Sequence, residues 1–155
     1  MKIYLAGPCD TDNRTIMVKA GKLLRKFYHE DVYCPWELKI ENAWDYSQEE
    51  WARMVFDKDI EAINDCDIMI MISVGRKSTA GTNWEQGYAY ALNKPIYVIQ
   101  ITDEPTSLMT FWGCTCFINT EALNIATALD AIIADRHGLL NTKWIYSRYC
   151  RSTLT

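Results

Sequence analysis

The stretch DIMIMISVGRKSTAGTNWEQGYAYALNKPIYVIQI, residues 67–101, decides the fold. Its two ends, Asp67 to Val74 and Pro95 to Ile101, are apolar at odd and even positions alike, as expected of strands buried on both faces of a parallel sheet. Between them lies a segment of helical period near Asn83 to Leu92, so the whole reads as one βαβ unit. Thr82 with Glu85 fits a capping box at the start of that helix, and Asn93 precedes the break at Lys94-Pro95.

The same alternation continues in both directions. Upstream come a strand at Lys2 to Ala6, a helix near Arg14 to Tyr28, a strand at Val32 to Cys34 and a helix near Gln48 to Asn64, entered through a second capping box at Ser47 and Glu50. Downstream follow a short apolar piece at Leu108 to Trp112, a strand at Cys116 to Ile118, and a helix near Glu121 to Arg136 with Gly138 behind it. The prediction is an α/β domain with a doubly wound, mostly parallel five-stranded sheet, a Rossmann- or flavodoxin-like three-layer arrangement, as a single domain over residues 1–155. No repeat, linker or low-complexity tract interrupts it.

Composition narrows the function. The 155 residues are 49% hydrophobic and 23% charged, enough to bury a full core without metal or disulfide staples. Sixteen Lys and Arg against 20 Asp and Glu give a net charge of -4, so there is no broad basic face for a nucleic acid polymer. The basic residues of the tail, Lys143, Arg148 and Arg151, read as a solvated segment. Six scattered cysteines without a CxxC pair, and only two histidines, argue against a zinc site. No apolar run is long enough to span a membrane, and the expected location is the cytoplasm, with reduced thiols. No GxGxxG or Walker loop follows a strand, which disfavours dinucleotide and NTP binding.

In sheets of this kind ligands bind beyond the carboxyl ends of the strands, which points to Gly7 to Arg14, Gly75 to Glu85 and Thr102 to Met109. Glu85 falls where a strand, a loop ending in Gly81-Thr82 and a new helix meet, and the field of the helix N-terminus would favour its ionised form. A carboxylate held there can attack an anomeric carbon to give a covalent glycosyl-enzyme; on spacing alone, its role as the capping-box partner of Thr82 competes with this. Asp59 lies at the edge of the helical stripe of Trp51, Val55 and Ala62, where burial would raise its pKa and suit it to proton transfer, unless it is a surface residue. Tyr4, inside the first strand, is either a core tyrosine or a hydroxyl that reaches and orients a carboxylate. Ser78, Thr79, Ser107, Arg14, Arg76 and Lys77 are ordinary loop residues or the holders of a hydroxyl or a single phosphate.

Taken together, Lys2-Ile3-Tyr4-Leu5-Ala6-Gly7-Pro8, Asp59-Ile60 with Asp67-Ile68-Met69, Gly81-Thr82-Asn83-Trp84-Glu85-Gln86-Gly87-Tyr88-Ala89 and Asn93-Lys94-Pro95 resemble the nucleoside 2-deoxyribosyltransferase family, as does Leu108-Met109 followed by Trp112-Gly113. The resemblance implies a nucleophilic Glu85, an Asp59 that serves the departing and incoming base, and a Tyr4 that orients the nucleophile. It implies substrate contacts from Gly7, Thr79, Gly81, Ser107 and Met109, with no metal and no cofactor. It further implies small-molecule partners, a deoxynucleoside or deoxynucleotide and a nucleobase, and a homo-oligomer, a dimer or hexamer, in which the loop of Ser107 to Met109 reaches a neighbour's site. Two positions depart from the transferase pattern: Thr79 and Ser107 stand where Asp and Asn are common. Hydroxyls at both places look more like the sister branch of 2'-deoxynucleoside 5'-monophosphate N-hydrolases, because they can donate to a phosphate that an aspartate would repel. Asp10 and Asp12 ahead of Arg14, and Trp112-Gly113, look transferase-like. A catalytically silent nucleotide-binding module, with Glu85 only a cap, is the reading from another class.

Overall fold

The computed structural model describes residues 1–138; the tail residues Lys143, Trp144, Tyr146, Arg148, Tyr149 and Arg151 singled out above lie outside the described residues. Five strands, β1 (Lys2–Ala6), β2 (Asp31–Tyr33), β3 (Ile68–Ser73), β4 (Ile96–Gln100) and β5 (Cys116–Asn119), are interleaved with five helices. These are α1 (Arg14–Phe27), α2 (Gln48–Asp65), α3 (Ala80–Ala91), α4 (Leu108–Trp112) and α5 (Ile125–Arg136). The strands form one sheet in the order β2-β1-β3-β4-β5, and every pairing is parallel.

The period of two along each strand sorts the core into two layers. Ile3 and Leu5 of β1 and Ile68, Ile70 and Ile72 of β3 pack with Met17, Ala20 and Leu24 of α1 and with Leu129 and Ile132 of α5. Tyr4 and Ala6, with Met69 and Met71, face the other way, toward Ile63 of α2 and Ala89 of α3. Both faces of β3 are therefore buried, and each such side chain contributes roughly 1.5–3 kcal/mol. The order of strands reverses at β1 and β3, so a crevice opens outside their carboxyl ends.

Several local signals act as expected. The Ser47 and Glu50 box is formed at the start of α2, and Asn93 and Gly138 adopt positive φ beyond α3 and α5. Others differ. β2 lies one residue earlier than the sequence suggests, and the last helix is preceded by a 3-10 turn at Ala122–Asn124. The box expected at Thr82 and Glu85 is absent: α3 starts earlier, at Ala80, with Thr79 as its cap. Thr82 is diverted because its hydroxyl donates to the Gly7 carbonyl at 3.2 Å, a tertiary bond that ties α3 to the end of β1. The turn before α3 needs Gly75, whose φ is +67° and where a Cβ would lie 2.6 Å from the Glu104 carbonyl oxygen. Among the described residues no helix is long and apolar enough to cross a membrane.

Candidate active site

Glu85 is the sixth residue of α3, in its second turn, and the bond from Thr82 to Gly7 hangs this part of the helix over the end of β1. Gly7 leaves room for α1 on the other side of this turn: a Cβ there would meet Met17 Sδ at 2.4 Å. On the opposite side of α3, Gln86 donates to the carbonyls of Thr110 and Gly113, at 2.9 and 3.3 Å, and so fixes α4 against α3.

Burial pushes the Glu85 carboxyl up to about 7, the charge of Asp59 adds to this, and the Tyr4 phenol opposes it. The expectation that the helix N-terminus keeps Glu85 ionised is thus corrected. The helix field fades within the first turn, whereas Glu85 lies past it in a desolvated position. Tyr4 is fully buried, and its hydroxyl has no partner at hydrogen-bonding distance. Its influence on Glu85 is therefore that of a nearby polarised O–H and not of a closed bond. Its own pKa is driven far up by burial, then by Glu85 and Asp59.

Asp59 is half-buried on the inner side of α2, and burial raises its pKa. The Tyr33 hydroxyl donates to its Oδ1 at 2.8 Å and pulls the other way. Both carboxylates line two adjoining cavities. One, of about 230 Å³, runs under the loops after β1 and β2 past Gly7, Cys9, Pro35 and Trp36, and includes Thr79 and Gly81. The other, of about 490 Å³, lies between α2 and α3 and is walled by Trp51, Val55, Phe56, Ile60 and Trp84. A larger opening of about 950 Å³ over the amino ends of β1 and β2 includes neither Glu85 nor Asp59.

The structure thus brings Glu85, Asp59, Gly7, Thr79 and Gly81 to one place, with Tyr4 beneath. A Cβ added at Gly81 would meet nothing within 4 Å, so the mouth there is open. Thr79 has its hydroxyl committed. Thr82 gives its one hydroxyl hydrogen to Gly7, so in the 2.8 Å contact between the two threonines Thr79 is the donor, while Thr79 Oγ1 accepts from the Thr82 N–H. Ser78 is likewise engaged with Val74 N and Ser73, and Lys77 pairs with Glu104. Ser107 and Met109 are not at this site within one chain. Ser107 caps α4, and both residues line a separate apolar groove of about 420 Å³ with Tyr90 and Trp112, where Met109 is 83% exposed.

Sequence reasoning missed Tyr33, Trp36, Cys9 and Gln86. Tyr33 at the end of β2, directly before Cys34-Pro35, lines the larger opening and neither cavity of Glu85, and reaches the site only through its bond to Asp59. Trp36 and Cys9 had a positional signal, since each follows the carboxyl end of a strand.

The sequence profile of a family described as nucleoside 2-deoxyribosyltransferase matches residues 3–141. No curated protein matches the chain in sequence. Among solved structures, the chain is similar to a 2-deoxyribosyltransferase from the psychrotolerant bacterium Bacillus psychrosaccharolyticus, with 26% identity and a TM-score of 0.67 over 81% of this chain and 90% of that one. A conserved protein from Enterococcus faecalis V583 shares the fold at 18% identity and a TM-score of 0.68, over 88% and 98% of the two chains. A CMP N-glycosidase from Clostridium botulinum shares it at 19% identity and a TM-score of 0.60, over 85% and 99%.

Proposed function

The chain belongs to the nucleoside 2-deoxyribosyltransferase family, and from that premise we propose that it cleaves the N-glycosidic bond of a 2'-deoxynucleoside through Glu85 and passes the sugar to another nucleobase. The observation that carries this is the pair of half-buried carboxylates, Glu85 and Asp59, facing the same two cavities. In the first step the Glu85 carboxylate bonds to C1' while the C1'–N bond breaks. Its electron pair leaves with the base, which takes a proton from Asp59. In the second step the incoming base attacks C1', its proton passes to Asp59, and Glu85 is released as carboxylate. Two displacements give retention at C1'. The first step needs Glu85 ionised and Asp59 protonated; because burial raises Glu85 to about 7, the nucleophile is freed only as its own proton leaves, which ties the rate to pH near neutrality. The apolar walls of Trp51, Phe56 and Trp84 favour keeping water from the glycosyl-enzyme. Tyr4 is the orienting group for Glu85, and Gly7, Thr79 and Gly81 shape the substrate side. No cofactor is required for these steps.

The second reading is hydrolysis of a 2'-deoxynucleoside 5'-monophosphate, favoured by the hydroxyl residues at 79 and 107. Against it, the Thr79 hydrogen is already spent on Thr82, and neither Ser107 nor Arg14, Arg76 or Lys77 lines the cavities of Glu85. The exposed groove of Met109 and Trp112 supports a homo-oligomer, dimer or hexamer, in which Ser107 and Met109 serve a neighbour's site. A cytoplasmic role in nucleotide salvage accords with the reaction.

The test is incubation with deoxyinosine or, separately, a deoxynucleoside monophosphate, each with and without free adenine or cytosine, followed by chromatography. A new deoxynucleoside that appears only with added base, and is absent with Glu85→Gln, is the expected result. Deoxyribose 5-phosphate released regardless of added base would establish the hydrolase, and binding without turnover in any tube would establish a silent module.

A further inference from the structure

We propose that Tyr33 is a positioning residue of this site: its hydroxyl holds the Asp59 carboxylate toward the cavities shared with Glu85, and its ring is held in turn by Tyr4. The inference rests on the reading of Asp59 as the proton carrier.

The sheet itself makes the arrangement. Tyr4 and Tyr33 are register partners on the parallel strands β1 and β2, so both side chains leave the sheet on the α2 and α3 face. Their rings stack with centroids 5.5 Å apart and planes 22° from parallel. From this platform Tyr4 faces Glu85, while Tyr33 donates to Asp59 Oδ1 at 2.8 Å. Tyr33 thus closes a bond on Asp59, while Tyr4 acts on Glu85 only as a nearby O–H.

Asp59 needs such a support because its helix does not supply one. Of the 18 residues of α2 only Ile63 is fully buried, and Trp51 and Phe56 on either side of Asp59 are exposed. The Tyr33 bond is the one hydrogen bond to the Asp59 carboxylate among the described residues, and no cation pairs with it there. The titratable groups that bear on Asp59 are Tyr33 from β2, Glu85 from α3, Tyr4 from β1 and Cys9 from the loop after β1, with Glu61 acting on Tyr33 from α2 itself. All are neutral or negative, so Tyr33 is the single group among them that favours the Asp59 carboxylate.

Tyr33→Phe keeps the ring and removes the donor. The full chain, labelled at its carboxyl carbons, is titrated by NMR, with the Asp59 signal identified by its absence in Asp59→Asn. The expected result is an Asp59 midpoint about one pH unit higher than in the wild type, since a hydrogen bond to a charged acceptor is worth about that much. In the base-exchange assay the rate of base departure falls roughly tenfold with little change in KM. An Asp59 midpoint that does not move overturns the proposal whether or not the protein is active. A wild type without base exchange or hydrolysis refutes the functional reading alone and leaves the titration decisive for Tyr33. Tyr33→Leu, which removes ring and donor together, separates the two roles: a midpoint that moves with Leu but not with Phe assigns the effect to packing and also overturns the proposal.

Discussion

Glu85 is held at a cost that pH makes measurable. Its carboxyl titrates at about 7 in the folded protein against an ordinary value of 4.5, so the folded state binds that proton more tightly than the unfolded chain does. A raised carboxyl pKa stabilises the fold while the group is protonated, and that stability is lost as pH rises from the unfolded value through the folded one. The gap corresponds to about 3 kcal/mol at roughly 1.4 kcal/mol per pH unit. Glu85→Gln keeps the shape of the neutral side chain and removes the ionisation. Relative to wild type it should be nearly neutral at pH 4.5, and by pH 8 it should be more stable by about 2–3 kcal/mol, a rise in Tm of roughly 5–10 °C for a chain of this size. The assay is denaturant unfolding of both proteins at intervals from pH 4.5 to 8, with base-exchange activity measured alongside. A stability difference that stays flat across this range would refute the reasoning, because it would mean that Glu85 is not destabilised by burial and Asp59. Activity lost with stability gained is the signature of a group placed for chemistry at the expense of the fold.

Three further outcomes follow from neighbouring contacts. Tyr4→Phe removes the one group that lowers the Glu85 pKa, so the acid limb of kcat/KM should move upward while the fold, relieved of a buried unpartnered hydroxyl, loses little stability; a limb that stays in place would show that Tyr4 does not act on Glu85. Asp59→Asn removes a charge that raises the Glu85 pKa, so the same limb should move downward while base departure slows, and an unchanged single-turnover rate would refute the proton-carrying role. Gly75→Ala forces a side chain into a left-handed turn against the Glu104 backbone and should cost at least about 1–3 kcal/mol in urea unfolding, with wild-type stability as the contrary result.

The parts of this molecule legible in the sequence are those written in local period. The alternation of Ile and Met over Ile68 to Met71 announces a strand covered on both sides, and the structure divides those residues between the α1 and α5 layer and the α2 and α3 layer. The helix carrying Glu85 was visible too, but not its start. Thr82-Asn83-Trp84-Glu85 has the letters of a capping box, and no local rule says that the Thr82 hydroxyl is taken by a carbonyl 75 residues away. That long-range bond moves the cap to Thr79 and frees Glu85 from a capping role, which no local reading of the four residues could show.

Tyr33 was illegible for a related reason. β2 has three residues, too few to show a period, and its partner in β1 lies 29 positions away in the chain. What delivers the phenol to Asp59 is register, and register is fixed by packing on the opposite face, where Ile3 and Val32, also paired, are buried beneath α1. A slip of one residue would carry Tyr33 to the α1 side and leave Asp59 without a donor. The core under α1 therefore specifies the site on the far side of the sheet. Enlarging or emptying the Val32 position should disturb Asp59 before it disturbs Glu85, whose placement rests on α3 and the bond from Thr82 to Gly7.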